Sequence, residues 1–112
     1  MGYMKHHAIV VTGSEDEIQE AHLMACKIFE GISELTPVAI NGYQSFFIPP
    51  DGSKEGWEDS EMGDIHRNSF IDWLTKRGGA VKWVEVQYGD DDKETKIIRD
   101  SDHLLIKRAE NE

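Results

Sequence analysis

The sequence predicts an α+β fold, specifically a ferredoxin-like βαββαβ sandwich with an additional C-terminal strand. Three observations predict it: short β-branched runs typical of strands, two stretches with helical spacing of apolar residues, and the order in which they alternate. The 112 residues fit one domain, 1–112, with an ordered core of about residues 5–102. Two helices would then cover one face of an antiparallel sheet.

The first half of the chain predicts a strand, a helix and a hairpin. HHAIVVTG (6–13) is a β-branched run that ends at a glycine, which is typical of a buried strand. Apolar residues then recur every three or four positions, and this spacing predicts a helix from about 15 to 31. TPVAINGYQSFFIPP (36–50) predicts two short strands around a turn at Asn41-Gly42, because Asn-Gly is a strong hairpin signal.

The second half predicts a helix from about 64 to 77, followed by two strands. Lys76 and Arg77 suit the last turn of the helix, and a pair of glycines stops it. AVKWVEVQYG (80–89) alternates as a strand does, and TKIIRD (95–100) predicts a returning strand. The predicted inner stripe of the helix consists of Ile65, Phe70, Trp73 and Leu74.

The strand KWVEVQY divides into two faces because its side chains alternate. Val84 and Val86 are expected to face the helices, so that Trp83, Glu85 and Gln87 would line the open face of the sheet. An indole, a carboxylate and an amide could read a base by stacking and hydrogen bonding. A homodimer would instead bury Trp83, and a homodimer is the favoured interpretation, since an open apolar face is unfavourable in water.

The loop IPPDGSKEGW (48–57) holds a lysine and an indole that a turn does not need. Lys54 and Trp57 could together cradle an anion that carries a flat group, such as a nucleotide. The alternative is that Trp57 folds back as a lid over the core. The predicted ligand-binding residues are Lys54, Trp57, Arg67, Trp83, Glu85 and Gln87.

Composition limits the classes of partner. Acidic residues outnumber basic ones 22 to 12, which gives a formal net charge of −10 and disfavours binding to phosphate backbones. The acidic surface could imitate a nucleic acid or only keep the protein soluble. Cys26 is the only cysteine, so no intrachain disulfide can form. No apolar run approaches the roughly 20 residues that span a membrane, and the expected location is the cytoplasm.

No catalytic or metal-binding motif stands out. The five histidines lack metal-ligand spacing, and the aspartates at 90–92 do not match a calcium-binding loop. No catalytic residue, metal or cofactor is therefore predicted. The less favoured enzyme interpretation would use His7 or His66 as a general base acting on a nucleotide.

Three segments carry a resemblance to a known family. NGYQSFFIPPDGSKEGW, HRNSFIDWL and WVEVQYGDDDKETKIIRDSD resemble a family of small uncharacterised bacteriophage and prophage proteins, which also begin KHHAIVVT and carry EAH in the first helix. The likeness covers most of residues 5–102. It implies a phage accessory gene, acting in the cytoplasm of the host cell, and implies no chemistry.

These observations predict a small acidic phage accessory protein that acts by binding. Its partner would be a nucleotide-like small molecule that it sequesters, or a host or defence protein that it inhibits. A structural or regulatory homodimer is the alternative, and a nucleotide-processing enzyme is less favoured. Neither direct nucleic-acid binding nor membrane binding is expected.

Overall fold

The chain folds as an α+β domain, as predicted, with a four-stranded antiparallel sheet and two helices. The computed structural model describes residues 6–52, 57–89 and 95–102. A short 3₁₀ turn at Ile40–Gly42 precedes the second strand. The elements in chain order are β1 (His6–Ser14), α1 (Glu15–Ile28), β2 (Tyr43–Ile48), α2 (Glu58–Arg77), β3 (Lys82–Tyr88) and β4 (Lys96–Asp100).

The ferredoxin-like order is not confirmed. The described elements follow the order β-α-β-α-β-β, so one strand stands between the helices where the sequence predicts two. The strands lie in the order β2-β1-β3-β4 and each neighbouring pair is antiparallel. β2 therefore returns directly alongside β1, with Ile9 opposite Ile48 and Ser14 opposite Tyr43. In a split βαβ unit another strand would separate them.

The missing strand of the predicted hairpin is an extended segment, residues 33–39, that pairs with β2 through side chains as well as backbone. The backbone N–H of Thr36 donates to the carbonyl of Ser45 at 2.9 Å, but the N–H of Ser45 donates back to the Thr36 hydroxyl, also at 2.9 Å. Ser33 does the same opposite Phe47. Hydroxyls thus replace carbonyls, and no regular strand forms. The predicted Asn41-Gly42 turn is present, with both residues at positive φ.

The core lies between the helices and one face of the sheet. α1 begins with acidic residues, which suit the positive end of a helix, and buries Ile18, Ala21 and Ala25 at helical spacing. It ends at Ile28, three residues before the predicted end, where Phe29 turns to extended backbone. The buried cluster that joins both helices to the sheet contains Ile9, Val11, Ile18, Ala21, Ala25, Phe46, Ile48, Phe70, Ile71, Leu74, Val81 and Trp83.

α2 begins at Glu58, six residues before the predicted start, and ends at Arg77 as predicted. Acidic residues in its first turn favour this earlier start. Ile65, predicted to face inward, is exposed, and Arg67 is buried instead. The buried stripe of the helix is therefore polar in its first half and apolar in its second: Ser60, Gly63, Arg67, Phe70, Ile71 and Leu74.

The prediction for the two faces of β3 is wrong. Trp83, Glu85 and Gln87 are buried on the side that the helices cover, and Val84 and Val86 lie on the open side. The register gives the reason for the tryptophan. Trp83 pairs with Val11, which is fully buried, so the large indole fills the core. Glu85 follows it inward, since alternate residues of a strand share a face.

Some predictions fall outside the described residues, among them Lys54, the acidic turn at 90–94 and the chain from residue 103 onward. The predicted returning strand is confirmed as β4. Within the described ranges, neither helix is both long enough and apolar enough to cross a membrane.

Candidate functional site

Among the predicted ligand-binding residues that the structure describes, which exclude Lys54, Trp57 lies apart from Arg67, Trp83, Glu85 and Gln87. Trp57 immediately precedes α2 and is 50% exposed, whereas Trp83 is 5% exposed in the core. Arg67 lies ten positions after Trp57, or about 15 Å along a helix axis. Arg67 and Glu85 do come together, but in the interior. The lid interpretation of Trp57 is not supported by its half-exposed side chain.

A cluster of ionisable side chains surrounds Glu85, and we call Glu85, His7, Arg67 and Arg99 the Glu85 cluster. Nδ1 of His7 lies 3.4 Å from Oε2 of Glu85, and Nε of Arg67 lies 3.8 Å from the same oxygen. Nε of Arg99 donates to Oε1 at 2.5 Å. These side chains come from β1, α2 and β4, so Glu85 on β3 links three other elements.

Both arginines have further partners outside the cluster. Nη2 of Arg67 donates to Oδ1 of Asp64, one helical turn earlier. Arg99 donates through Nη2 to Oδ1 of Asn68 at 2.7 Å. Gly63 makes room for this packing, because a Cβ there would meet Oδ2 of Asp51 at 2.7 Å and Nη1 of Arg67 at 3.2 Å. Each guanidinium group thus contacts protein oxygens besides those of Glu85.

The charge state of Glu85 follows from its surroundings. Burial raises the pKa of this carboxyl group, but contacts with His7 and Arg99, together with the charges of Arg99 and Arg67, outweigh burial. The net effect holds the pKa of Glu85 below its usual value, so the carboxylate is ionised at neutral pH. The compensated carboxylate thus connects Arg67 of α2 and Arg99 of β4 to β3.

The cluster supplies one part of the catalytic arrangement that the enzyme interpretation requires. That interpretation needs a histidine beside a carboxylate within a cleft. His7 and Glu85 satisfy the first part, whereas a small cavity beside α2 and a wider one beside β3 and β4 are both lined by other residues. His66 packs edge-on against Phe29, with ring centroids 6.2 Å apart. Within the described ranges, no group of three His, Cys, Asp or Glu side chains could hold a metal ion.

The side of the sheet away from the helices, which we call the open face, is apolar. Val10 is 40% exposed and Phe47 is 41% exposed, although both lie in the middle of strands. Val84 and Val86 continue this surface across β3, and Ile97 of β4 pairs with Val86. The apolar residues on this side of the sheet are Ala8, Val10, Phe47, Val84, Val86 and Ile97. Val10, Phe47 and Ile97 are exposed, Val84 and Val86 are half-buried, and Ala8 is buried.

A shallow depression of about 420 Å³ lies on the β3–β4 half of the open face. Val10 and Val84 supply apolar surface to it. Its rim is polar, and Nζ of Lys82 pairs there with Oδ1 of Asp102 at 3.0 Å. The complete lining is Val10, Thr12, Lys82, Trp83, Val84, Asp100, Ser101 and Asp102.

Comparisons with known proteins leave the site to be interpreted from its own geometry. No protein-family model matches the chain, and no curated protein and no solved structure matches it either.

Sequence reasoning missed the open face because it placed β3 the wrong way round. The alternation predicted that Val84 and Val86 share a side, which is confirmed, but not which side. Val10 and Phe47 were not singled out. The signal that could have found them is the pairing of β1 with β3. Ile9 and Val11 are buried, and the β3 residues opposite them include Trp83, so Val10 must lie on the other side of the sheet.

Proposed function

We propose that the protein acts by binding through its open face, and that a second copy of the chain is the partner that covers it. One observation carries the proposal. The open face exposes apolar side chains, including Val10 and Phe47, while the covered face of the same sheet holds the ionised Glu85. Soluble monomers rarely expose a large contiguous apolar surface, and such surfaces mark interfaces.

The size of the open face suits a small homodimer. Four strands spaced about 4.8 Å apart, each with about 20 Å of length, give roughly 400 Å² of flat surface per copy. Side-chain relief adds to this area, and specific interfaces begin at about 1,000 Å² over both partners. We therefore expect dissociation constants in the micromolar range, as for other interfaces at the low end of the size scale.

Charge also distinguishes this surface from the rest of the chain. The formal net charge of −10 makes two copies repel each other at a distance. The charged side chains of the open face lie toward β4, where Asp100 is opposite Val84 and Lys82 is paired with Asp102. Salt screens the long-range repulsion and leaves apolar burial intact. The dimer should therefore tighten as salt concentration rises.

Sedimentation velocity over a concentration series tests the proposal. Val86→Lys places an ammonium group in the open face and should raise the dimer dissociation constant by about 100-fold. Leu23→Lys is the matched control, because Leu23 is a 63% exposed apolar residue on α1. It should leave association unchanged or slightly stronger. Equal effects of the two substitutions, or a wild-type chain that stays monomeric, would contradict the proposal.

The bacteriophage origin, the host or defence target and the nucleotide-like ligand stay predictions. Stacking of a base needs an accessible ring, and the burial of Trp83 favours dimerisation over nucleotide sequestration for this domain. Native mass spectrometry of freshly purified protein separates the two. A dimer without additional mass supports our proposal, whereas a copurified molecule that absorbs like a nucleobase supports sequestration.

A further inference from the structure

The open face is not symmetrical from one edge to the other. One row of paired residues crosses all four strands: Phe47 of β2, Val10 of β1, Val84 of β3 and Asp100 of β4. At the β2 end of this row a large ring stands 41% exposed. At the β3–β4 end lies the depression. A protruding side chain and a hollow therefore occupy opposite halves of one surface, at the same level along the strands.

We infer that, in the dimer, Phe47 of each copy fills the depression of the other. This inference rests on the proposed function, since it specifies how two open faces meet. Consider a two-fold axis that runs between the two sheets, parallel to the strands and near β1. This axis reverses the order of the strands from one sheet to the other, but it keeps each residue at the same height along the strand direction. β2 of each copy then lies over the β3–β4 half of its partner. The contact is reciprocal and closed, as an isologous dimer requires.

This arrangement agrees with the packing of sheets in general. Two sheets that pack face to face keep their strands within about 30° of alignment, and an axis parallel to the strands produces such alignment. An axis perpendicular to the strands would also give an aligned dimer. It would place β2 on β2, so that Phe47 meets Phe47 and the two depressions face each other. The second arrangement leaves voids, which protein interfaces avoid.

The rim of the depression makes the two arrangements distinguishable by charge. Asp100, Asp102 and Lys82 line the depression, so two carboxylates and one ammonium group surround it. A lysine in place of Phe47 would enter acidic surroundings in the inferred dimer, whereas a glutamate would meet carboxylates of its own sign. In the alternative dimer, position 47 faces itself. Lysine and glutamate would then repel equally.

The test compares dimer dissociation constants of Phe47→Lys and Phe47→Glu by sedimentation velocity. We expect Phe47→Glu to raise the dissociation constant by about 100-fold or more and Phe47→Lys by about 10-fold or less. Leu23→Lys and Leu23→Glu measure the effect of the same charges placed away from the open face. The ratio of the dissociation constant of Phe47→Glu to that of Phe47→Lys should be at least about fivefold larger than the same ratio for Leu23→Glu and Leu23→Lys.

A second variant keeps the inference testable if the Phe47 variants fold poorly, which circular dichroism will show. Thr12→Trp places a bulky ring in the depression from β1. In the inferred dimer this ring competes with the partner's aromatic side chain, and association should weaken by about 10-fold. In the alternative dimer the ring fills a void, and association should strengthen.

The outcomes separate this inference from the proposed function. A wild-type chain that is monomeric at every concentration contradicts both. A wild-type dimer that Phe47→Lys and Phe47→Glu weaken equally, or that Thr12→Trp strengthens, supports self-association and overturns the arrangement. A charge-dependent loss at Phe47 together with weakening by Thr12→Trp supports both.

Discussion

The two faces of the sheet differ in a way that reverses the usual pattern for a half-covered sheet. On β3 the side covered by helices carries Glu85 and Gln87, and the side open to solvent carries Val84 and Val86. An antiparallel sheet with one covered face ordinarily turns apolar residues inward and polar residues outward. Here β1 follows that rule on its covered side with Ile9 and Val11, but its open side still presents Val10.

The comparison shows that the covered face contains a compensated buried charge, whereas the open face contains exposed apolar side chains. On the covered face, Glu85 is compensated by Arg67, Arg99 and His7, so a buried charge becomes a link between elements. On the open face the described residues offer no comparable covering for Val10 and Phe47, which are 40% and 41% exposed. Among the described residues, Glu85 finds its partners within one chain, whereas we propose that a second copy covers the open face.

The largest effect should come from breaking the Glu85 cluster. Glu85→Ala leaves Arg67 and Arg99 without their buried partner, and removal of one member of such a pair destabilises a protein by about 3–5 kcal/mol. Chemical denaturation below the dimer dissociation constant measures the loss. Asp72→Ala is the control, since its pair with Lys76 is exposed and should contribute less than about 0.5 kcal/mol. A loss below about 1 kcal/mol for Glu85→Ala would show that the cluster does not hold the fold together.

The two tryptophans should differ almost as much, because only one lies on the covered face. Trp83→Ala removes a core side chain and should reduce the free energy of unfolding by about 3–5 kcal/mol. Trp57→Ala removes a half-exposed side chain and should reduce it by less than about 1.5 kcal/mol. Urea denaturation of both variants provides the measurement. Equal losses would restore the interpretation of Trp57 as a lid.

Val10 and Val11 are neighbours on β1 that lie on opposite faces of the sheet. Replacing each by threonine compares the effect of the same change on stability at the two faces. Val11→Thr buries a hydroxyl in the core and should destabilise the chain by about 1–3 kcal/mol. Val10→Thr places the same hydroxyl on the open face, where the cost in dilute, monomeric protein should stay within about 0.5 kcal/mol. Thermal denaturation at low concentration measures both. A larger loss at Val10 would mean that the open face is covered within the monomer.

The smallest effect concerns pH. The pKa of Glu85 is lowered in the folded chain, so the unfolded chain binds its proton more readily. The stabilisation from Glu85 should be present above its unfolded pKa near 4.5 and be lost as pH falls through the folded value. Glu85→Gln should remove this part of the pH dependence. We would compare free energies of unfolding from pH 7 down to pH 3 for both proteins; parallel curves would contradict the assignment.

The sequence predicts the helices, the sheet strands and the Asn41-Gly42 turn from local patterns, and most of these are confirmed. Local patterns do not say that Ser33 and Thr36 use hydroxyls against β2, because that choice depends on long-range pairing. They also do not orient β3. Apolar character alone would turn Val84 and Val86 inward. The orientation is decided instead by the contact of Trp83 with β1 and by the arginines that compensate Glu85.

The most direct test of the central claim is hydroxyl-radical footprinting of side chains above and below the dimer dissociation constant. If a second copy covers the open face, modification of Phe47 should fall severalfold at high concentration while modification of Leu23 stays constant. An unchanged rate at Phe47 across the whole concentration range would contradict the account, because the open face would then remain in contact with water.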